Sequence, residues 1–246
     1  MSHFGYVLGL ADDALIAAQR LSEWCSRAPE MEEDIALANI ALDQLGVARM
    51  LLSYAGELEG QGRTEDDLAY LRDAHEFRNV QLVELDNGDF AVTMAKLLFL
   101  SVYQRLLYDR SIGAGDERIA AVAAKARKES AYHVDHSSRW VMRLGDGTEE
   151  SHRRMQAAVD QIWPYTHQLF GADPAVHALA LTGVVVAPST LRPAWLDTID
   201  AVLAEAMLTR PTTEAAAAPR SEHTDALAEL LADMQVLHRA HPGARW

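Results

Sequence analysis

The sequence predicts an all-α protein built round a four-helix bundle, and three observations carry that prediction. Apolar residues recur at helical intervals in segment after segment, and each segment is closed by a proline, a glycine or an Asn-Gly turn. The third observation is the stretch 116–145, long enough for a bundle helix, in which Ile119, Val122, Ala126, Ser137, Trp140 and Leu144 share one stripe. Glu129 and His133 take the two remaining places on it. A carboxylate and an imidazole one turn apart on a buried stripe are costly unless something pairs with them.

The other elements follow in chain order. Residues 6–27 carry Val7, Leu10, Ala14, Ala17, Leu21 and Trp24 at helical spacing, with Asp13 on the same stripe, and stop before Pro29. Residues 31–58 open on Glu32, Glu33 and Asp34, which suit a helix N-terminus. This second helix is apolar on two sides and holds Asp43 on one of them, so it should be covered from two directions. Residues 64–85 read as a more polar helix with a threonine cap, its Arg72, Asp73, His75, Glu76 and Arg78 forming most simply a solvated face, with a partner or ligand surface as the alternative. After the Asp86–Asp89 turn, residues 90–111 form a strongly apolar helix interrupted by Lys96, which either snorkels to the surface or is held inward by a carboxylate. The helix over 116–144 is followed by flanking helices at 148–170, 194–209 and 225–239, with an irregular stretch at 171–193. Residues 209–224, rich in small residues and proline and including the alanine run 215–218, read as a mobile linker or surface excursion.

Composition narrows the function. The chain has 246 residues, 49% of them hydrophobic, enough for one substantial domain or two small ones; we take 1–246 as one domain. Its formal net charge of -14, with no basic run, repels nucleic acid and anionic membranes. The single cysteine, Cys25, excludes an internal disulfide framework and reads as a small buried hydrophobe. No stretch approaches the ~20 apolar residues of a membrane span, and the N-terminus lacks the basic region and cleavage site of a leader. A cytoplasmic location is expected.

Short connections make helices 6–27 and 31–58, and helices 90–111 and 116–144, antiparallel neighbours. At about 1.5 Å per residue, Asp13 lies roughly 21 Å from its helix end and Asp43 roughly 18 Å from the next helix start, which sets them at one level. Lys96 and Glu129 match in the same way. Four helices, each with one inward polar residue at equal height, is the plan of a carboxylate-bridged di-iron bundle, which needs a Glu from two helices and Glu-x-x-His from the other two. Here the plan is damaged: the corresponding residues are Asp13, Asp43-x-x-Gly46, Lys96 and Glu129-x-x-Tyr132. A charged lysine has only donors and cannot bind metal. The residues therefore predict a buried salt-bridge cluster of Asp13, Asp43, Lys96 and Glu129, joined by Tyr132 and His133. A metal site that uses His133, and unrelated solvated or capping roles, stay open beside it; His133 and His136 have zinc-like spacing without a convergent third ligand.

Several segments together resemble a known family. They are LADDAL from Leu10, EEDIALANIALDQLGVAR from Glu32, ELDNGDF from Glu84, KESAYH from Lys128, RLGDGT from Arg143 and the tail MQVLHRAHPGARW from Met234. The chain is similar over nearly its whole length to the C subunits of the multicomponent ring-1,2-phenylacetyl-CoA epoxidase, also called phenylacetyl-CoA monooxygenase. The resemblance implies a ferritin-like fold and a structural, non-catalytic role with no cofactor in this chain. It also implies pairing with a homologous A subunit that carries the di-iron centre, alongside a small B subunit and a reductase, in an oxygen- and NADPH-dependent epoxidation of aerobic phenylacetate catabolism. The segment 211–224 departs from the family pattern in being less glycine-rich and less basic. An independent di-iron or di-manganese oxygenase or oxidase is the alternative, opposed by Lys96 and the two missing histidines. A hydrolase is disfavoured, since Cys25 has no adjacent base and no Gly-x-Ser-x-Gly elbow occurs.

Overall fold

The computed structural model describes residues 2–213 and 218–244. Among them are ten α-helices, three 3-10 segments and no strand, so the protein is all-α. The chain divides into two compact units, Met1–Asp86 with Pro219–Trp246, and Asn87–Ala218. Each is built on one helical hairpin, and the four long helices are the element set of a ferritin-like fold.

In the first unit α1 (His3–Ser22) pairs with α2 (Met31–Glu59). Ser2 caps α1 by accepting from the Gly5 N–H at 3.1 Å. Every residue of α1 from Tyr6 to Ala18 is buried, which is why so apolar a helix also has to resolve two buried aspartates. It ends at Ser22, five residues earlier than expected. Ser26 adopts a left-handed φ of 64°, and Cys25 is exposed. Its expected burial on a helix stripe is corrected: the chain has left the helix before the thiol. α2 begins on its three acidic residues and stops at Gly60, whose φ of 71° closes a left-handed C-cap.

The helix expected over 64–85 is broken into α3 (Glu65–Tyr70), a 3-10 turn at Ala74–Glu76 and α4 (Gln81–Glu84). The cause lies in α1. The carboxylates of Asp12 and Asp13 accept from the backbone N–H groups of Arg78 and Val80, both at 2.8 Å, and a continuous helix would have directed those donors at carbonyls four residues back. Arg72, assigned above to a solvated face, is only 1% exposed. Across this broken segment lies α10 (Asp225–Ala240), whose Gln235 donates to the carbonyls of Ala69 and Arg72 at 3.1 and 2.9 Å.

The second unit pairs α5 (Phe90–Ser111) with α6 (Glu117–Gly145) and adds α7 (Glu149–Ile162), α8 (Pro174–Leu181) and α9 (Arg192–Glu205). Asp89 caps α5 through the Val92 N–H, and Asp116 caps α6 through the Arg118 and Ile119 N–H groups at 2.9 Å. Thr148 caps α7, and Ser151 completes a capping box. The helix behind it gives way to a 3-10 segment at Trp163–Phe170, where Pro164 has no N–H to offer an α-turn. The stretch read as irregular contains α8, capped by Asp173 and started by Pro174. On α6 the buried stripe ends with Val141 and Gly145; Trp140 and Leu144 beside them are half-buried.

Trp195 anchors the core of this unit. Its ring centroid lies 5.7 Å from those of Phe99 and Trp163 and 5.2 Å from that of Phe170, and its indole N–H donates to the Phe99 carbonyl at 2.9 Å. By length and composition α2 and α5 could each cross a membrane, against the expectation that no stretch could. The apolar stretch of α5 is 83% buried, as in the core helix of a soluble protein.

Candidate functional site

Asp12 and Asp13 are consecutive on a buried helix, so their side chains leave α1 about 100° apart and require separate partners. Asp12, fully buried, receives the forked guanidinium of Arg72 at 3.0 and 2.5 Å. Arg72 also donates to the carbonyls of Leu68 and Glu76 and lies 4.0 Å from the centre of the Phe77 ring. Asp13, 3% exposed, receives Arg220 at 3.0 and 2.9 Å in addition to the Val80 N–H. Burial pushes the Asp13 carboxyl above its usual range, against the opposing pull of Arg220 and the Val80 N–H. The same guanidinium reaches the carbonyls of Gly9 and Arg78. A Cβ on Gly9 would stand 3.3 Å from both the Arg220 Nη1 and the Arg78 oxygen, so only glycine leaves this approach unhindered.

A third buried carboxylate extends the network. Glu84 accepts from Asn79 at 2.8 Å and from the Thr224 N–H, and its Oε2 faces the His223 Nδ1 at 2.9 Å. The other ring nitrogen of His223 faces the Phe77 carbonyl at 3.0 Å. Arg20 binds the Glu84 carbonyl through two nitrogens, at 3.0 and 2.8 Å, and the Glu23 carboxylate at 2.8 Å. Of the expected linker, residues 214–217 lie outside the described residues. The part after them is no loose excursion: Arg220 and His223 bring it into the buried network.

The predicted site residues divide between the units. Asp13 and Asp43 belong to the first, where Asp43 is half-buried on α2; Lys96, Glu129, Tyr132 and His133 belong to the second. Lys96, 8% exposed, has its Nζ 3.5 Å from the Asn87 Oδ1 at the turn before α5. Glu129 is half-buried and His133 is 2% exposed, while the Tyr132 ring is half exposed and stands edge-on to His133 at 6.3 Å. Tyr132 also leans on His136, at 6.0 Å, whose basicity is lowered by burial and by the neighbouring His133. Among the described residues no group of three or more His, Cys, Asp and Glu side chains is arranged to hold a metal ion.

Sequence reasoning found Asp13 and missed Asp12, Arg72, Glu84, Arg220 and His223. The doublet at 12–13 on an otherwise apolar helix was the available signal for two buried carboxylates. Nothing local could have named Arg220, which lies 207 residues from the aspartate it binds.

A model of the family described as "Phenylacetic acid catabolic protein" matches residues 1–246. The chain is 45% identical over 243 residues, 98% of its own length and 98% of the relative's, to the C subunit of the 1,2-phenylacetyl-CoA epoxidase of Escherichia coli (strain K12).

Proposed function

This chain belongs to the phenylacetic acid catabolic protein family, and we propose that it serves there as a non-catalytic subunit of a phenylacetyl-CoA 1,2-epoxidase. In this reading it pairs with a homologous subunit that carries the di-iron centre, and a small subunit and a reductase complete the assembly. The identity with an epoxidase component across its full length supports the assignment to the complex.

The observation that carries the non-catalytic reading is the state of Asp13. A carboxylate that bridges iron must present its lone pairs to the metal. Both oxygens of Asp13 are already engaged, by three donors that include the fork of an arginine cation. The residues at the other bundle positions fit iron no better: Lys96 offers a cation, and Gly46 and Tyr132 stand where histidines are required. These side chains suit a metal-free bundle in which buried charge is neutralised by Lys96 and the arginines, with Asp13, Asp43, Lys96, Glu129, Tyr132 and His133 as remnants of the di-iron positions. A cytoplasmic location belongs to the same reading, supported by the single cysteine, which suits a reducing compartment.

Iron analysis of the chain purified alone and purified with the catalytic subunit of the same epoxidase tests this proposal. Iron and epoxidation of phenylacetyl-CoA are expected in the complex only. About two irons in the lone chain, the complement of a carboxylate-bridged centre, would reverse the assignment and make this subunit an oxygenase in its own right.

A further inference from the structure

α2 and α5 are nearly equally apolar over their most hydrophobic 18 residues, yet 83% of that stretch is buried in α5 and 44% in α2. The uncovered part of α2 is continuous. Met31, Ile35 and Leu42 are 76%, 57% and 64% exposed, and with half-buried Ala38 and Leu45 they fall on one stripe at helical spacing. The opposite side, with Leu37, Ile40, Val47, Ala48, Leu51 and Leu52, is buried. This helix has two apolar sides, and the fold covers one of them. Large apolar side chains scattered singly on a surface need no explanation, but a row of them along about 20 Å of helix does.

Charge selects the occupant. Glu30 and Glu32 are exposed at the start of the stripe and Asp34 is half-exposed along its edge, so the rim is acidic. The face ends at Arg49, which Glu65 holds at 2.8 Å. A second copy of this chain would set an acidic rim and a net charge of -14 against the same. Anionic lipid would be repelled likewise.

We propose that the α2 stripe from Met31 to Leu45 is a docking face for another subunit of the epoxidase, one that presents an apolar helix face bordered by lysine or arginine. This inference rests on the reading of the chain as an epoxidase subunit. Ile35 and Leu42 enter the partner's apolar surface, and Glu30, Glu32 and Asp34 meet its basic border.

The test is co-expression of the full chain with the other subunits of its epoxidase, a tag on the partner, and measurement of the chain recovered per partner. The Ile35→Glu/Leu42→Glu variant should be recovered at least tenfold less well, with unchanged helical circular dichroism and melting midpoint, because both side chains are exposed in the isolated chain. Glu32→Lys/Asp34→Lys should lower recovery several-fold, with a loss that shrinks in high salt, and it carries the test should the first variant fail to fold. Wild-type recovery of these variants overturns the proposal. So does a wild-type chain that is dimeric alone and becomes monomeric with Ile35→Glu/Leu42→Glu, or one that sediments with phosphatidylglycerol vesicles through this face. If the wild-type chain itself is recovered with no epoxidase subunit, the functional reading fails and this inference with it, a result distinct from failure of the variants alone.

Discussion

The two units stabilise their interiors by opposite means. The first buries charge: Asp12, Asp13, Glu84, Arg20 and Arg72 are all buried, and Arg220 and His223 reach them from the far end of the chain. The second centres on aromatic rings, Phe99, Trp163, Phe170 and Trp195, whose contacts lie between 5.2 and 5.7 Å. Aromatic packing tolerates modest adjustment, whereas a buried ion tolerates almost no loss of its partner. The charged unit should therefore be the more brittle under point mutation, although replacing a whole ion pair with apolar groups can be nearly neutral. What its ion pairs contribute is connection, since they tie α1 to residues 60 and 207 positions away.

Arg72→Ala should produce the largest effect. It leaves Asp12 charged and fully buried, a situation that costs about 3–5 kcal/mol, and it removes the cation stacked on Phe77. Chemical denaturation followed by circular dichroism measures the loss. A change below about 1 kcal/mol, the scale of an exposed pair, would show that the buried charges of the first unit are better hydrated than their burial implies and would erase the contrast between the units. Gly145→Ala comes next, in the second unit. The new Cβ would overlap the Ala206 carbonyl oxygen and stand 2.9 Å from the Ala206 Cβ, so the ends of α6 and α9 must separate, at roughly 1–3 kcal/mol. Trp195→Phe keeps an aromatic ring and removes one buried hydrogen bond to the Phe99 carbonyl, at about 1 kcal/mol beyond the loss of ring size. If Trp195→Phe proved as damaging as Arg72→Ala, the aromatic core would have to be counted as brittle too.

The same contrast explains what could be read from the sequence. The long helices were legible because their apolar spacing is set by a local period: α2, α5 and α6 run within one residue of their expected bounds, and only α1 is displaced, ending five residues early. The threonine cap of the segment 64–85 was legible for the same reason, since Thr64 lies three residues from the Asp67 N–H it satisfies. The segment 64–85 was misread because its helix signal is genuine but loses to carboxylates on α1 that lie about 66 residues earlier. Arg72 looked like one of several surface charges, and only the fold distinguishes it from Asp73 beside it. For the bundle positions the residue types alone argued against iron, through Lys96 and the absent histidines. That Arg220 occupies Asp13 depended on a contact with no trace in local sequence.

His223 provides the finest test of the charged unit, and the smallest expected effect. Its two ring nitrogens face the Glu84 side chain and the Phe77 carbonyl, a setting of acceptor oxygens that favours the imidazolium over the neutral ring. Burial works against the charge, but the bonds to Glu84 and Phe77 and the nearby Asp12 prevail and raise its basicity above the usual value of about 6.5. A group more basic in the folded than in the unfolded state contributes stability that is complete below the unfolded value and is lost as pH rises through the folded one. Unfolding midpoints in urea should therefore fall from pH 6 to pH 9 more steeply in the wild type than in His223→Gln, which cannot titrate. Taking the difference between the two curves cancels every other titrating group that the substitution leaves alone. A difference that stays flat, or grows with pH, would mean that His223 is neutral in the folded chain and that Glu84 relies on Asn79 and the Thr224 N–H alone.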